Sequence, residues 1–398
     1  MNMHYFVRTV SPILQIIMTK QSLYQLLFTA FLLTTVCRQG YSQPTRAETE
    51  IKEIMKELDV VGLSVAVVKK GKIIYNHSFG LKDIATNAPL TNDHIFRIAS
   101  ISKSFSATAI MQLVEAGKLS LDDDFSKLVG FTVRNPKFPQ TVITLRMVMS
   151  HTASINDSQG YFTLDAIDPA KGANSIKCYN DYEPGTAYQY CNLDYNMTGT
   201  VIERLSGERF DNYVRDHVLK PLKLYGGYCV DSLDATLFAT IYEYDSTKTL
   251  VPSSGAYNPR REEIQNYIMG YSTPIFSPTG GMKISAAHLA RYMIMHMKHG
   301  KYNGIRIISK KSSRIMQTTV AEKEGYALAI MHTDKLIPGK MLTGHTGSAY
   351  GLYSAMFFNA KEKFGMVVIT NGCKPVDKDG FNLVITRTVN NLYENLIK

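Results

Sequence analysis

Cysteine is scarce in this sequence, and none of it is spaced for a metal site. Five cysteines occur among 398 residues, with no C-x-x-C pair of the kind that binds zinc. His296 and His299 stand three apart in a predicted helix, but no acidic or cysteine partner is nearby. We interpret both as part of a solvated helix face, and we expect no metal site.

Long apolar runs are missing as well. After the N-terminal region, no stretch approaches the roughly 20 residues that a membrane-spanning helix needs, so we expect the mature protein to be soluble. The formal net charge is +10, yet lysine and arginine are scattered rather than clustered with aromatic residues, which argues against nucleic-acid binding. The positive charge favours anionic surroundings, such as a cell-wall polymer or a membrane face.

The chain does begin with the layout of an export signal. Lys20 precedes a mostly apolar stretch of 14 residues from Leu23 to Val36, and Gly40-Tyr41-Ser42 places small residues at a cleavage position. We predict that residues 1–42 are a signal peptide, that cleavage occurs before Gln43, and that the protein is exported to the periplasm or the cell exterior.

Alternatives to this interpretation stay open. Cys37 is a candidate lipidation site, the apolar stretch is a candidate uncleaved anchor, and Met18 is a candidate start in place of Met1. Export permits disulfide bonds without requiring them. The cysteines that remain after cleavage allow three pairings, among which the sequence does not choose: Cys178, Cys191, Cys229 and Cys373.

Strand signals lie at the two ends of the chain. Apolar, β-branched runs around charged turns occupy residues 62–68, 73–75, 351–359 and 364–371. Pairs of such runs around short turns are typical of β-hairpins. Because the two pairs lie near opposite ends of the sequence, we predict a single sheet to which both ends contribute.

Helical periodicity fills most of the rest. The segments that show it are 47–58, 145–149, 193–205, 210–218, 286–299 and 380–396. Most of them lie between the two hairpins. We therefore predict an α/β part formed by residues 43–120 and 315–398, with a mostly helical part at 121–314.

Ser100 and Lys103 stand three residues apart at the predicted start of an apolar helix. That spacing places both side chains on one helix face, where an amine can activate a serine hydroxyl as a nucleophile. The unpaired N–H groups of a helix N-terminus can also stabilise the oxyanion that forms when a carbonyl is attacked. A Ser-x-x-Lys tetrad also arises by chance on solvated helix faces, so it needs support from further motifs.

A second motif offers groups for two further steps of acyl transfer, protonation of the leaving group and positioning of the substrate. Tyr190 and Asn192 follow a Pro-Gly turn and precede a predicted helix. A phenol held near an ammonium can have its pKa lowered enough to transfer a proton to a leaving group, and a carboxamide can hold a substrate amide. A second Tyr-x-Asn, at 393–395, lies in the terminal helix without the turn, and we interpret it as structural.

The third motif precedes the C-terminal strand pair. It consists of Gly344, His345, Thr346, Gly347 and Ser348. Its small residues allow a substrate to lie along the strand, and we predict that His345 donates a hydrogen bond to a substrate carboxylate or to Tyr190. The backbone N–H of Ser348 is the candidate second oxyanion donor, beside that of Ser100.

Ser-x-x-Lys, Tyr-x-Asn and His-Thr-Gly in this order resemble the signature of the serine β-lactamase and penicillin-binding protein superfamily. The sequence at 150–152, 280–282 and 286–291 is similar to its class C β-lactamase-related branch, and the resemblance extends from about Glu50 to Leu396. It implies an α/β plus all-α fold, in which an antiparallel sheet is flanked by helices and a helical insertion closes a cleft that holds the site.

The resemblance also implies roles for individual residues. Ser100 is the acylated nucleophile, Lys103 the proton acceptor, Tyr190 the acid and base for the leaving group, and Asn192 a substrate positioner. We expect His345, with the residues that follow it, to bind substrate, and the family implies no cofactor.

Three departures from the family pattern bear on activity. His345 stands where class C β-lactamases usually have lysine. The His-Thr-Gly pattern is similar to that of D-Ala-D-Ala carboxypeptidases and several esterases of the branch. A neutral histidine holds a carboxylate more weakly than lysine does, which argues against efficient β-lactamase activity. The loop from residue 153 to Tyr182 lacks the usual Ser-Gly pair, and we expect substrate specificity there. No Glu-x-x-Leu-Asn stretch is present, so deacylation must rest on Lys103, Tyr190 and water.

We therefore predict an exported serine hydrolase that acts through an acyl-enzyme on amides or esters. The leading form is a D-alanyl-D-alanine carboxypeptidase-like or β-lactamase-like enzyme whose substrate is a small molecule or a peptide derived from peptidoglycan. One alternative is an esterase of the same family, and another is a non-catalytic module that binds β-lactams or cell wall.

Overall fold

The structure, a computed structural model, describes residues 45–398, so the predicted signal peptide lies outside the described residues. Residues 46–398 form one compact unit. The helices are α1 (Arg46–Glu57), α2 (Ser102–Glu115), α3 (Phe125–Val129), α4 (Leu145–Met149), α5 (Asn192–Ser206), α6 (Phe210–Val214), α7 (Arg261–Gln265), α8 (Ala286–Met297), α9 (Lys310–Gln317) and α10 (Leu383–Leu392). Within the described part of the chain, no helix is long and apolar enough to cross a bilayer.

The strands lie mostly toward the two chain ends. They are β1 (Gly62–Lys69), β2 (Lys72–Asp83), β3 (Ala88–Pro89), β4 (Phe96–Arg97), β5 (Gly226–Gly227), β6 (Ile241–Tyr244), β7 (Leu250–Ser253), β8 (Lys283–Ile284), β9 (Lys301–Tyr302), β10 (Ile305–Arg306), β11 (Met331–Thr333), β12 (Leu342–Ala349), β13 (Leu352–Asn359), β14 (Phe364–Thr370), β15 (Asp377–Lys378) and β16 (Phe381–Asn382).

One antiparallel sheet joins the two ends of the chain. Its seven strands run in the order β11-β12-β13-β14-β1-β2-β3. The junction is the pair β1 and β14, in which Val65 lies opposite Val368. The predicted fold class, an antiparallel sheet flanked by helices, is confirmed.

Strand β1 shows why helices cover both faces of this sheet. Successive side chains of a strand point to opposite faces, and here both faces are apolar. Leu63, Val65 and Val67 pack with α1 and α10 in one core, whereas Ala66 and Val68 pack with α8 in the other. The continuous apolar run of β1 is therefore that of a central strand with two buried faces.

Helix α8 packs on the sheet, although the predicted helical part includes it. It contacts β1, β13 and β14, and Tyr292, Met293 and Ile294 are buried there. The predicted boundary at residue 314 thus runs through elements that share one core.

The interpretation of His296 as a solvated residue was wrong. His296 is 0 % exposed, and its ring meets Tyr292 edge-on at 4.7 Å. Burial lowers the pKa of His296 to about 3, so the ring is neutral. Sequence periodicity missed this because nearly all of α8 is enclosed, and a polar residue on it does not mark a solvent face.

Helix α2 carries the Ser-x-x-Lys motif into the space between the sheet and the remaining helices. It packs against α5, and Phe105 stacks on Tyr292 of α8 with ring centroids 3.7 Å apart and planes at 10°. Phe105 is fully buried. The start of α2 is thereby fixed in relation to both α5 and the sheet.

We predict that Phe105→Ala destabilises the protein by about 3–5 kcal/mol, because it leaves a cavity where two helices meet. Ile74→Ala is the matched control, since Ile74 is 49 % exposed and its truncation should cost roughly 0.5 kcal/mol or less. Denaturant unfolding followed by circular dichroism measures both. Equal losses in the two variants would contradict the packing described here.

Candidate active site

Ser100 lies in a 3₁₀ turn, Ala99–Ile101, that leads directly into α2. Ala99 has φ of 46°, a left-handed conformation that is uncommon for a residue with a Cβ. Strained backbone of this kind tends to occur at functional sites, where the surrounding structure must hold it in place. The predicted position of Ser100 at a helix start is the one observed.

The Lys103 amine has three oxygen neighbours. Its Nζ lies 3.1 Å from Ser100 Oγ, 2.9 Å from Asn192 Oδ1 and 3.1 Å from the carbonyl oxygen of Thr279. The last two are carbonyl oxygens, which only accept hydrogen bonds. A neutral amine has two hydrogens and one lone pair, so it donates to these two and turns its lone pair toward the Ser100 hydroxyl.

Burial favours this neutral amine. The Lys103 side chain is 0 % exposed, and loss of hydration lowers its pKa from 10.5 to about 7, against the opposing charge of Asp157. Lys103 is therefore partly neutral near pH 7, and it can accept the Ser100 proton.

Asn192 is held in the orientation that this arrangement needs. Its Nδ2 donates to Asp157 Oδ2 at 2.9 Å, which leaves Oδ1 to accept from Lys103 and from Thr279 Oγ1. Asp157 also accepts from the backbone N–H groups of Asn192 and Leu193, at 2.8 and 2.9 Å. The carboxylate thus caps the first turn of α5 from a distant loop.

These bonds bear on the predicted role of Asn192 as a substrate positioner. Asn192 faces the cleft, but its carbonyl and one N–H are committed to protein groups. In this structure Asn192 orients the Lys103 amine. The contact of Asn192 with substrate stays a prediction.

The expected lowering of the Tyr190 pKa does not occur. Lys103 Nζ lies over the Tyr190 ring, 4.7 Å from its centroid. Burial is the largest influence and raises the Tyr190 pKa, with a smaller opposing effect from the Ser100 side chain. Tyr190 therefore stays a neutral phenol, able to relay a proton but not to serve as a standing phenolate base.

Two neutral side chains, His151 and Asp194, lie behind Tyr190: His151 packs on the Tyr190 ring, and Asp194 contacts His151. His151 Nδ1 accepts from the Cys191 backbone N–H at 3.2 Å and lies 3.1 Å from Asp194 Oδ2. Burial lowers the pKa of His151 and raises that of Asp194. The His151 ring packs against Tyr190 with centroids 4.4 Å apart. His151 and Asp194 therefore place no charge next to Tyr190.

His345 does not offer the free donor that was predicted. Its Nδ1 lies 2.5 Å from the carbonyl oxygen of Thr346, to which it must donate, and its Nε2 accepts from the Tyr326 hydroxyl at 3.0 Å. Burial, with Lys103 nearby, lowers the pKa of His345 to about 4. A neutral ring with both nitrogens bonded cannot hold a substrate carboxylate, so in this arrangement His345 positions Tyr326 instead.

The strand that carries His345 approaches the nucleophile through its backbone. A Cβ on Gly347 would collide with the carbonyl oxygen of Ile98, so only glycine permits this close approach. Tyr350 and Gly351 both have positive φ and form a two-residue hairpin turn. Alternation along the ladder then points the Ser348 N–H away from β13, toward the cleft where an oxyanion would lie.

A cleft of about 670 Å³ opens above these groups. It is lined by predicted residues, namely Ser100, Tyr190, Asn192, His345, Thr346 and Ser348. Phe162, 63 % exposed, lies at its rim in the loop predicted to set specificity. Lys103 lies beneath the floor, so the structure brings every motif to one place.

Four groups of this site were not found from the sequence. Asp157, Thr279 and Tyr326 are distant in sequence from the motifs they support, whereas Asp194 stands two residues after Asn192 with no pattern that marks it. Cys178, Cys191, Cys229 and Cys373 are free thiols. Among residues 45–398, no cluster of three or more histidine, cysteine or acidic residues is suited to a metal.

Comparison with known proteins agrees with this geometry. Residues 47–386 match the family model Beta-lactamase, so the chain belongs to the β-lactamase family. Penicillin-binding protein 4 of Amycolatopsis lactamdurans is 26% identical over 79% of this chain and 82% of its own length. Protein flp of Staphylococcus aureus strain MRSA252 is 23% identical over 81% of this chain, which spans 62% of that protein.

Solved structures share the fold. A penicillin-binding protein homologue from Pyrococcus abyssi, described as octameric, is 26% identical with a TM-score of 0.69 over 88% of this chain and 78% of its own. D-amino acid amidase from Ochrobactrum anthropi is 20% identical with a TM-score of 0.66 over 87% of this chain and 97% of its own. The hydrolase EstCE1 is 19% identical with a TM-score of 0.67 over 87% and 98%. The last two likenesses show the fold alone, whereas family membership indicates a hydrolase of the serine acyl-enzyme type.

We predict that kcat/KM rises with pH, reaches half its maximum at about pH 7 and levels off about one unit higher, because Lys103 accepts the Ser100 proton only when its amine is neutral. Lys103→Arg should lower kcat/KM by about 10²–10⁴-fold at every pH, since a guanidinium does not deprotonate. Steady-state hydrolysis of a p-nitrophenyl ester from pH 5 to 9 measures both. A profile without an acid limb between about pH 6 and 8 would contradict the assignment.

We further predict that Asp157→Asn moves this acid limb to lower pH. The negative charge of Asp157 raises the Lys103 pKa, so its removal lowers that pKa further. Asp181→Asn, in the same loop with a side chain 83% exposed, is the control and should leave the limb in place. The same pH titration distinguishes them, and a shift to higher pH in Asp157→Asn would overturn the prediction.

Proposed function

We propose that this protein is an exported serine hydrolase that forms an acyl-enzyme on Ser100 with amide or ester substrates. The observation that carries this proposal is the contact of 3.1 Å between Lys103 Nζ and Ser100 Oγ, made by an amine whose other acceptors are both carbonyl oxygens. A nucleophile and a base within hydrogen-bond reach, with the base oriented by a third group, are what acyl transfer requires.

The residues support a complete cycle. Lys103 accepts the Ser100 proton as Oγ attacks the substrate carbonyl, and the N–H groups of Ser100 and Ser348 bind the oxyanion. Lys103 then returns the proton to the leaving group, directly or through the Tyr190 hydroxyl, as the acyl-enzyme forms. Water attacks the ester with the same groups in reverse order, which releases the acid and restores Ser100.

The leading substrate is a peptide ending in D-amino acids, as in peptidoglycan. The matches to penicillin-binding proteins support this class, and the cleft is wide enough for an extended peptide. The neutral His345 leaves the position of the family lysine without charge. We therefore propose a carboxypeptidase-like enzyme that reacts with β-lactams and hydrolyses the adduct slowly.

An esterase is the second candidate, and one observation favours it. Because both nitrogens of His345 are bonded within the protein, strand β12 presents no cation, and an uncharged ester needs none. A non-catalytic binding module is less well supported, because such a module has no need of a desolvated lysine at the serine.

We predict that the mature protein gains the mass of a fluorescent penicillin within minutes and keeps it for much longer. Intact-protein mass spectrometry measures the adduct, with Ser100→Ala as the test of site and Ser104→Ala, on the next residue of α2 after Lys103, as the control that still reacts. An adduct in Ser100→Ala would refute the nucleophile. No adduct, together with ester hydrolysis that depends on Ser100, would replace the carboxypeptidase by the esterase.

A further inference from the structure

A second, smaller cavity adjoins the active-site cleft. It has a volume of about 120 Å³, and four residues line both spaces: Arg97, Phe162, Ser277 and Tyr350. Arg97 stands three residues before the nucleophile. The cavity and the active-site cleft are therefore adjacent, and one molecule can have groups in both.

Two basic side chains face each other in its lining. Arg97 on β4 and Lys283 on β8 are directly opposite partners of an antiparallel pair. Like charges in this relation destabilise a sheet. Lys283 is only 7 % exposed, so water would do little to screen an ammonium there from the Arg97 guanidinium.

Neither of these two side chains has an acidic partner. Arg97 donates to the carbonyl oxygens of Gly280 and Gly255, at 2.8 and 3.2 Å, and Lys283 donates to that of Tyr228 at 3.3 Å. No salt bridge within residues 45–398 includes either side chain. A buried lysine without a counter-charge is costly for a protein to maintain.

The acidic residue in the lining, Asp231, is bonded to the segment around Arg260 rather than to Arg97 or Lys283, although its Oδ1 accepts no hydrogen bond. Asp231 accepts from the Arg260 backbone N–H at 2.9 Å and lies 3.4 Å from Arg261 Nε. Arg260 in turn pairs with Glu263 at 2.8 Å. The cavity therefore has a surplus of basic side chains that its own acidic residue does not match.

The protonation of Lys283 also depends on the lack of a nearby negative charge. Burial lowers the pKa of Lys283, and the charges of Arg97 and Arg260 lower it further. An anion between the two cations would reverse both influences and would bring a proton onto Lys283 as it binds.

We propose that this cavity binds a carboxylate at one end of the substrate, while the reacting carbonyl lies at Ser100 in the cleft. The assignment of the carboxylate to the substrate rests on the proposed function. The volume of about 120 Å³ is several times the roughly 10–15 Å³ that one water needs, which leaves room for a carboxylate on a short stem. Arginine and lysine on opposite strands supply the charge that His345 lacks, and the substrate class is thereby an acidic one.

Succinate binding tests the cavity without any turnover. In differential scanning calorimetry at constant ionic strength, succinate should raise the Tm of the wild type and of Ser100→Ala above that in chloride, whereas Lys283→Met should lose this rise. Lys301→Met, at an exposed lysine, is the matched control and should retain it. Equal rises in Lys283→Met and the wild type, or no rise in either, would overturn the proposal.

The Tm of Lys283→Met in chloride also shows whether Lys283 serves only to stabilise the fold. Because the variant replaces a buried amine that has no acidic partner with an apolar side chain, its Tm in chloride should equal or exceed that of the wild type. A lower Tm in chloride, combined with an intact succinate response, would assign Lys283 to the fold alone and would contradict the site.

An ester pair tests the source of the carboxylate. The ratio of kcat/KM for p-nitrophenyl hydrogen succinate to that for p-nitrophenyl butyrate should fall about tenfold in Lys283→Met, the loss expected for a hydrogen-bonded charge pair, and hold in Lys301→Met. An unchanged ratio would refute substrate binding and leave a site for free carboxylates. Hydrolysis of both esters by Ser100→Ala would instead refute the proposed function, while the calorimetry still decides the cavity.

Discussion

Removal of one amine from water is the constraint on which the rest of this structure depends. A lysine in solvent is protonated at neutral pH and cannot serve as a base. Lys103 becomes one because α2 begins at the bottom of a cleft and α5 packs across it, so that no part of the side chain reaches solvent. The carbonyl oxygens of Asn192 and Thr279 then take both hydrogens of the neutral amine, and its lone pair is left to Ser100.

The surroundings of Lys103 are polar but largely uncharged. His151, Asp194 and His345 are all held neutral by burial, and Tyr190 covers the amine with the face of its ring. Asp157 is the exception, and its oxygens are occupied by the first turn of α5 and by Asn192. Had the site kept more carboxylates near the amine, their charges would have raised its pKa and restored the ammonium.

Much of the fold and the motif positions could be predicted because their signals are local. Residues 62–75 and 351–371 contain their own turns, and Ser100 and Lys103 are one helical turn apart. The remainder depends on contacts between distant segments. Asp157 meets Asn192 across 35 residues, and Tyr326 meets His345 across 19, so neither partner has a mark in the sequence around it. The errors at Tyr190, His345 and His296 share one cause, since the charge and the partners of each side chain depend on a burial that only the packed structure determines.

The ionisation of Lys103 in the intact protein is the measurement that tests this account most directly. Carbon-13 NMR of protein labelled at the lysine ε-carbon, with the Lys103 signal assigned by its loss in Lys103→Arg, follows that amine through pH. The desolvated site described here predicts a midpoint at about 7. A midpoint near the usual 10.5 would mean that Lys103 stays an ammonium at neutral pH, and the base of this active site would have to be sought elsewhere.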